Sequence, residues 1–341
     1  MPESLDKRKK KLLQAIVEEY IETAEPVSSN NLVKMLDCSS ATIRNEMAEL
    51  EQIGFLEKPH TSAGRIPSQK GYRYYVDELI REDSLSKKEM ELIKERLETK
   101  VNELEDLTKI ATTTLSEITH YTTITIGPDV NSHTIIDIKF VLLGSRVLMA
   151  VILTDSGVIR ESIIKFDEDI DQKQTDDLTL IFRNKLVGKP LEKLNGPIEE
   201  FIINEINAGI NIIKKIIDEI NKIIEESKKI YLEGANKVVS MPEFKKSDIA
   251  KDFLNVLDAK DLVADVLNTG LAQNINVYIG EETEKEELKN FSIVTFNHLL
   301  EDKDIGTIGI IGPTRMDYSK VISVMKYISK KLNDDFKKGK F

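Results

Sequence analysis

Arg44 and Asn45 stand side by side in SSATIRNEMAEL, residues 39–50, and both side chains can read a base edge. An asparagine amide pairs with adenine, and an arginine guanidinium pairs with guanine or with phosphate. Ala41 and Ala48 beside them are small enough for close approach, and Thr42 adds a hydroxyl. Ile43, Met47 and Leu50 recur at helical spacing on the opposite side. The stretch therefore reads as a helix with one face to bury and one to present. Ser39 or Ser40 caps it by accepting from an orphan backbone N–H. Taken alone it also fits an ordinary amphipathic surface helix.

The next stretch favours nucleic acid. KPHTSAGRIPSQKGYRYYV, residues 58–76, carries Lys58, Arg65, Lys70 and Arg73 and no acidic residue. Pro59, Gly64, Pro67 and Gly71 punctuate it as a hairpin or wing rather than a helix. Cations, hydroxyls and backbone N–H groups on such a loop suit phosphate contact. The expected DNA contacts are Ser39, Ser40, Ala41, Thr42, Arg44 and Asn45 on the helix. On the wing they are Lys58, His60, Thr61, Ser62, Arg65, Lys70 and Arg73. The wing, through Arg65 above all, is expected to supply affinity and the helix specificity. Tyr72, Tyr74 and Tyr75 alternate between packing on the first helix and reaching the DNA backbone; stacking on single strands is the other use of such a cluster.

Catalytic chemistry is poorly represented. His60, His120, His133 and His298 are scattered, without metal-binding spacing, and no Walker lysine or nucleophile elbow is present. No cofactor is expected. The best ligand site is GTIGIIGPTR, residues 306–315, where Gly312, Thr314 and Arg315 can cradle an anion. Tight strand packing, with Arg315 paired to Asp317, explains the same residues structurally.

These residues need elements to hold them. A first helix is expected over Leu5–Thr23, with Leu12, Leu13, Ile16, Val17 and Tyr20 inward. Pro26 breaks it, Ser28 caps a second helix over Ser28–Leu36, and Asp37-Cys38-Ser39 turns tightly into the helix of Arg44 and Asn45. Two helices so joined and followed by a wing make a winged helix-turn-helix. A charged connecting helix follows from about Leu85 to His120. Short β-branched strands are expected at 135–143, 147–155 and 158–166, separated by Gly144-Ser145-Arg146 and Ser156-Gly157 turns. Helices then dominate to about Asn274. Strands return at 276–280, 291–299 and 306–312, and a last helix covers Tyr318–Leu332.

The fold expected is α+β and multidomain: a winged helix at 1–80, then an α/β domain at 81–165 and 241–341 interrupted by a mostly helical insertion at 166–240. Within that insertion Ile210, Ile213, Ile217, Ile220 and Ile224 step by three and four along Ala208–Leu232. So broad an apolar face suits a bundle or a subunit interface, and it is the expected homodimer contact, with the Leu85–His120 helix second; burial within one subunit is the alternative.

With 341 residues, 40% of them hydrophobic, the chain can build several cores. No apolar run is long enough to span a membrane, and MPESLDKRKKK lacks the apolar segment of a signal peptide. The single cysteine, Cys38, excludes an internal disulfide and fits a reducing cytoplasm. A net charge of −11 is unusual for a DNA binder, so distribution matters more than the sum. Residues 1–80 hold eleven Lys/Arg against thirteen Asp/Glu, which leaves −9 on the rest. That remainder repels DNA and helps orient the molecule on it.

SSATIRNEMAELEQIGFLEKPHTSAGRIPSQKGYRYYVDEL resembles the N-terminal region of the HrcA family, bacterial heat-inducible transcription repressors. GTIGIIGPTRMDYSKVISVMKYI, residues 306–328, resembles that family's C-terminal signature, so the likeness spans the chain. It implies a winged helix, a GAF-like domain and an inserted dimerising domain. It implies a homodimer on an inverted-repeat operator, the CIRCE element, at chaperone operons, and activity that depends on the GroEL chaperonin. A metabolite-responsive repressor sensing an effector in the GAF-like domain is the alternative; an enzyme with a DNA-binding regulatory domain is a second.

Overall fold

The computed structural model describes residues 5–60, 63–81, 85–97, 104–126, 134–155, 159–190, 210–226, 230–245, 247–268, 275–300 and 303–337. The chain forms two compact units. Residues 1–125, 231–297 and 307–341 make the first, and 126–230 with 298–306 make the second, inserted into it.

Unit 1 opens with helix α1 (Lys7–Thr23), capped by Asp6, whose carboxylate accepts from the Arg8 and Lys9 N–H groups. It ends at Ala24 in the left-handed region (φ 57°), and Pro26 follows. Helix α2 is a single turn, Val33–Leu36, rather than the longer helix expected from Ser28. Ser28 donates to Asn31 Oδ1 at 2.9 Å instead of capping, and residues 29–32 form turns. Asp37 (φ 50°) reverses the chain, and helix α3 (Ser40–Gln52) begins after the cap Ser39. Strands β1 (Leu56–Glu57) and β2 (Ile66–Pro67) pair antiparallel as the base of the wing, and Val27 bridges to Arg65 beside them. A Cβ on Gly64 would sit 2.2 Å from the Val27 carbonyl oxygen, so only glycine permits that bridge.

The second half of the expected hairpin is helical. Helix α4 (Gln69–Tyr74) is capped by Ser68 and runs into a π-helical turn, Tyr75–Leu79. Tyr72, Tyr74 and Tyr75 are all buried, with Tyr72 against Tyr318 and Tyr74 edge-on to Phe55. They are core residues, not DNA or single-strand contacts. Burying their rings stabilises the fold by roughly 25 cal/mol per Å2 of apolar surface.

Helices α5 (Lys87–Leu97) and α6 (Leu104–Thr119) replace the single connecting helix. A five-stranded sheet then forms in the order β7-β3-β10-β9-β8, from β3 (Thr122–Ile126), β7 (Ile230–Glu233), β8 (Ile275–Ile279), β9 (Phe291–Leu300) and β10 (Lys303–Pro313). Strands β3 and β7 have no counterpart among the expected strands. The run TTITI is β-branched but carries no alternation because every residue is buried, and Ile230–Leu232 continue the pattern of the expected isoleucine helix. Helices α9 (Ala235–Val239), α10 (Ser247–Asp258), α11 (Lys260–Asn268) and α12 (Tyr318–Lys337) complete this α/β core. Phe244, Phe253 and Phe291 stack within it, with centroids 5.0–6.1 Å apart.

Lys320 of α12 pairs with Glu89 of α5. That ammonium holds the Glu89 carboxyl down, to about 2 from 4.5. A depressed folded pKa gives stability that is present above the ordinary value and lost as pH falls through the folded one. Acid titration of the wild type from pH 4.5 to about 2 should therefore show a loss of stability that Glu89→Gln has already suffered. Superimposable acid curves would contradict this role.

Unit 2, 126–230 with 298–306, starts before residue 166 and so takes in the strands that precede the expected insertion. It contains strands β4 (Ile135–Gly144), β5 (Val147–Thr154) and β6 (Ile159–Lys165), an antiparallel sheet in that order. Helix α7 (Gln172–Leu186) packs on β4, and α8 (Ile210–Glu226) on β6. Phe140 and Phe182 meet edge-on at 5.1 Å in the core between them. Ile213, Ile217 and Ile220 are buried in that same core, together with Ile212 and Ile216. These five therefore pack against their own subunit's sheet, the alternative that the apolar face left open. The side chains of Ile210 and Ile224 lie outside the described residues.

Candidate nucleic-acid interface

Helix α3 buries Ile43, Met47 and Leu50 and leaves Ala41, Arg44, Asn45 and Ala48 exposed. The 3.6-residue period places these four on one stripe with nothing bulky between them. Ser39 accepts from the Thr42 N–H at 3.2 Å, and its hydroxyl lies 2.8 Å from the Thr42 hydroxyl. Ser40 turns inward, donating to Asn30 Oδ1 at 2.6 Å and lying 2.8 Å from the Ser29 hydroxyl. Those bonds tie the start of α3 to the turn before α2. Cys38 donates its thiol to the Leu36 carbonyl at 3.1 Å, closing the same turn.

The wing cations are not one phosphate-facing set. Lys58 and His60 are exposed; Thr61 and Ser62 lie outside the described residues. Arg65 instead pairs with Glu51 of α3 at 2.7 Å, its side chain only 15% exposed. Lys70 donates to the Ile53 carbonyl at 2.8 Å and lies 4.7 Å from the Phe55 ring centroid. Arg73 bonds Glu282, Asp77 and the Val277 carbonyl, and the Glu282 carboxylate raises its pKa further. Charge is visible in the sequence pattern of these residues, but the partners that occupy them are not: Glu51 and the Ile53 carbonyl come from the end of α3, and Glu282 lies 209 residues from Arg73.

The anion cradle is likewise filled. Arg315 pairs with Glu243 and donates to the Ile21 carbonyl, rather than to Asp317 or an open site. The Thr314 carbonyl accepts from the Tyr318 hydroxyl at 2.6 Å, and a Cβ on Gly312 would meet the Tyr121 ring at 2.8 Å. An open hollow of about 520 Å3 lies elsewhere, between Arg73, Asp77 and Ile80, β8 and α12. Among the described residues no His, Cys, Asp and Glu cluster could hold a metal, and no helix is long and apolar enough to cross a membrane.

Residues 12–73 match an HTH domain, a span running from α1 to Arg73 in α4. Residues 105–322 match the HrcA protein C terminal domain, from α6 into α12. The chain belongs to the HrcA family. The heat-inducible transcription repressor HrcA of Ruminiclostridium cellulolyticum is 41% identical over 341 residues, covering 98% of each chain. The HrcA repressor of Acetivibrio thermocellus is 38% identical, over 97% of this chain and 96% of its own. A crystal structure of a hypothetical protein shares the fold, with TM-score 0.65 and 23% identity, covering 98% of this chain and 99% of that one. The HrcA match thus includes unit 2, and the HTH match includes the whole of α3.

Proposed function

We propose that this HrcA-family chain is a cytoplasmic, non-enzymatic repressor that reads duplex DNA through α3. The exposed stripe of Ala41, Arg44, Asn45 and Ala48, in a helix-turn-helix of a repressor family, carries the reading. Ala41 and Ala48 admit the helix to the major groove, Asn45 suits adenine, and Arg44 suits guanine or phosphate. Ser39, Ser40 and Thr42 orient the start of α3, and Lys58 with His60 offers wing contacts.

A dimer is the second part of the proposal, because an inverted repeat calls for two copies related by a dyad. The far side of the unit 2 sheet suits it better than the isoleucines. Along β5, residues alternate between half-buried and buried, so Val147, Met149, Val151 and Leu153 face away from α7 and α8. Ile163, opposite Met149 on β6, is 59% exposed. In the row through Val151, Lys139 lies to one side and Glu161 to the other. A two-fold along β5 brings Lys139 of one protomer over Glu161 of its partner, and the reverse.

The resemblance further suggests chaperone operons as targets and GroEL as the partner that keeps the repressor active. A gel shift on a CIRCE-type inverted-repeat duplex, with and without GroEL, tests this. Retardation of that duplex over a scrambled one, strengthened by GroEL, is the expected result. Equal retardation of both duplexes would refute sequence-specific repression, and indifference to GroEL would refute the chaperonin link.

A further inference from the structure

Helix α3 carries Arg44 as its single cation against Glu46, Glu49 and Glu51. Such a balance is unfavourable for a helix that must lie among phosphates. Each carboxylate, however, meets a cation from another element. Arg8 Nε lies 2.8 Å from Glu46, and Lys9 Nζ lies 2.8 Å from Glu49, both from α1. Arg65 lies 2.7 Å from Glu51. At the C-terminal end of α3, where the helix dipole is negative, the Lys70 ammonium holds the Ile53 carbonyl at 2.8 Å.

We propose that Arg8, Lys9, Arg65 and Lys70 form a neutralising collar that makes an acidic recognition helix compatible with DNA. They are positioning residues that act through Glu46, Glu49, Glu51 and the helix end, leaving base readout to the exposed stripe. The proposal rests on α3 being the helix that reads DNA. Its physical basis is range. An uncompensated carboxylate on α3 lies within about one Debye length (~10 Å at 0.1 M salt) of any phosphate the helix approaches. Repulsion over that distance is sequence-independent and fades as salt rises. The same pairs fasten α3 to α1 and to the wing, so the collar also fixes the angle at which the stripe is presented. The collar permits entry to the groove, while the carboxylates it offsets moderate attraction to any duplex.

The test uses the full chain, titrated onto matched and scrambled duplexes at low and at physiological salt. Arg8→Gln with Lys9→Gln should weaken both duplexes at low salt by about tenfold, and less as salt rises. Adding Glu46→Gln and Glu49→Gln should restore both to within about twofold, because the charge these cations compensate is gone. If the quadruple variant binds as weakly as the double, Arg8 and Lys9 touch phosphate directly and the collar is overturned. Glu46→Gln with Glu49→Gln alone retains every cation and should tighten binding to both duplexes. No change there would equally overturn the collar, even if the cation variants failed to fold. A wild-type chain that bound neither duplex would refute the DNA reading itself, and the collar with it.

Discussion

Ile216→Asp is expected to unfold unit 2 rather than to release intact monomers. Ile216 is fully buried against the β4-β5-β6 core, among Ile212, Ile213 and Ile220. An aspartate there must either bury an unpaired carboxylate or protonate, and it also leaves a void where the isoleucine packed. Together these effects cost about 4–5 kcal/mol, a large share of the ~5–15 kcal/mol that holds a domain folded. Thermal melting followed by circular dichroism should show a transition lowered by more than about 10 °C. A folded, monomeric variant with an unchanged melt would return the isoleucine face to the role its sequence suggests.

The proposed sheet interface predicts the opposite behaviour. Met149→Asp with Val151→Asp places carboxylates at half-exposed positions, so the isolated subunit keeps its fold. In a dimer the same residues would be desolvated without partners. Light scattering should report monomers, and affinity for a full inverted repeat should fall by at least about 100-fold as the linkage of two half-sites is lost. Half-site binding should survive. A variant that remained dimeric would exclude this face.

Local pattern was legible where chain neighbours decide the outcome. A cap at Ser39 or Ser40, Ile43, Met47 and Leu50 as a buried stripe, and the turn between β4 and β5 all follow from spacing within a few residues, while the Ser156-Gly157 turn lies outside the described residues. Long-range partners decided the rest. Nothing near Lys70 in sequence announces the Ile53 carbonyl, and nothing near Arg73 announces Glu282, 209 residues away. Arg315 illustrates the same limit, because its partner Glu243 and the Ile21 carbonyl come from distant segments. The isoleucines were recognised as an apolar face, but periodicity cannot distinguish a subunit's own sheet from a second copy. Composition misled at β3, where five consecutive buried residues erase the alternation that marks a half-exposed strand.

The claim that the exposed stripe of α3 reads bases is tested most directly by Asn45→Ala. Asn45 is exposed, so its removal leaves the core of Ile43, Met47 and Leu50 intact. Titrating wild type and variant onto an operator duplex and a scrambled duplex at fixed salt isolates readout from charge. The operator should lose about 1–3 kcal/mol of binding free energy, while the scrambled duplex binds as before. Equal loss on both duplexes, or no loss on either, would contradict base reading by this face.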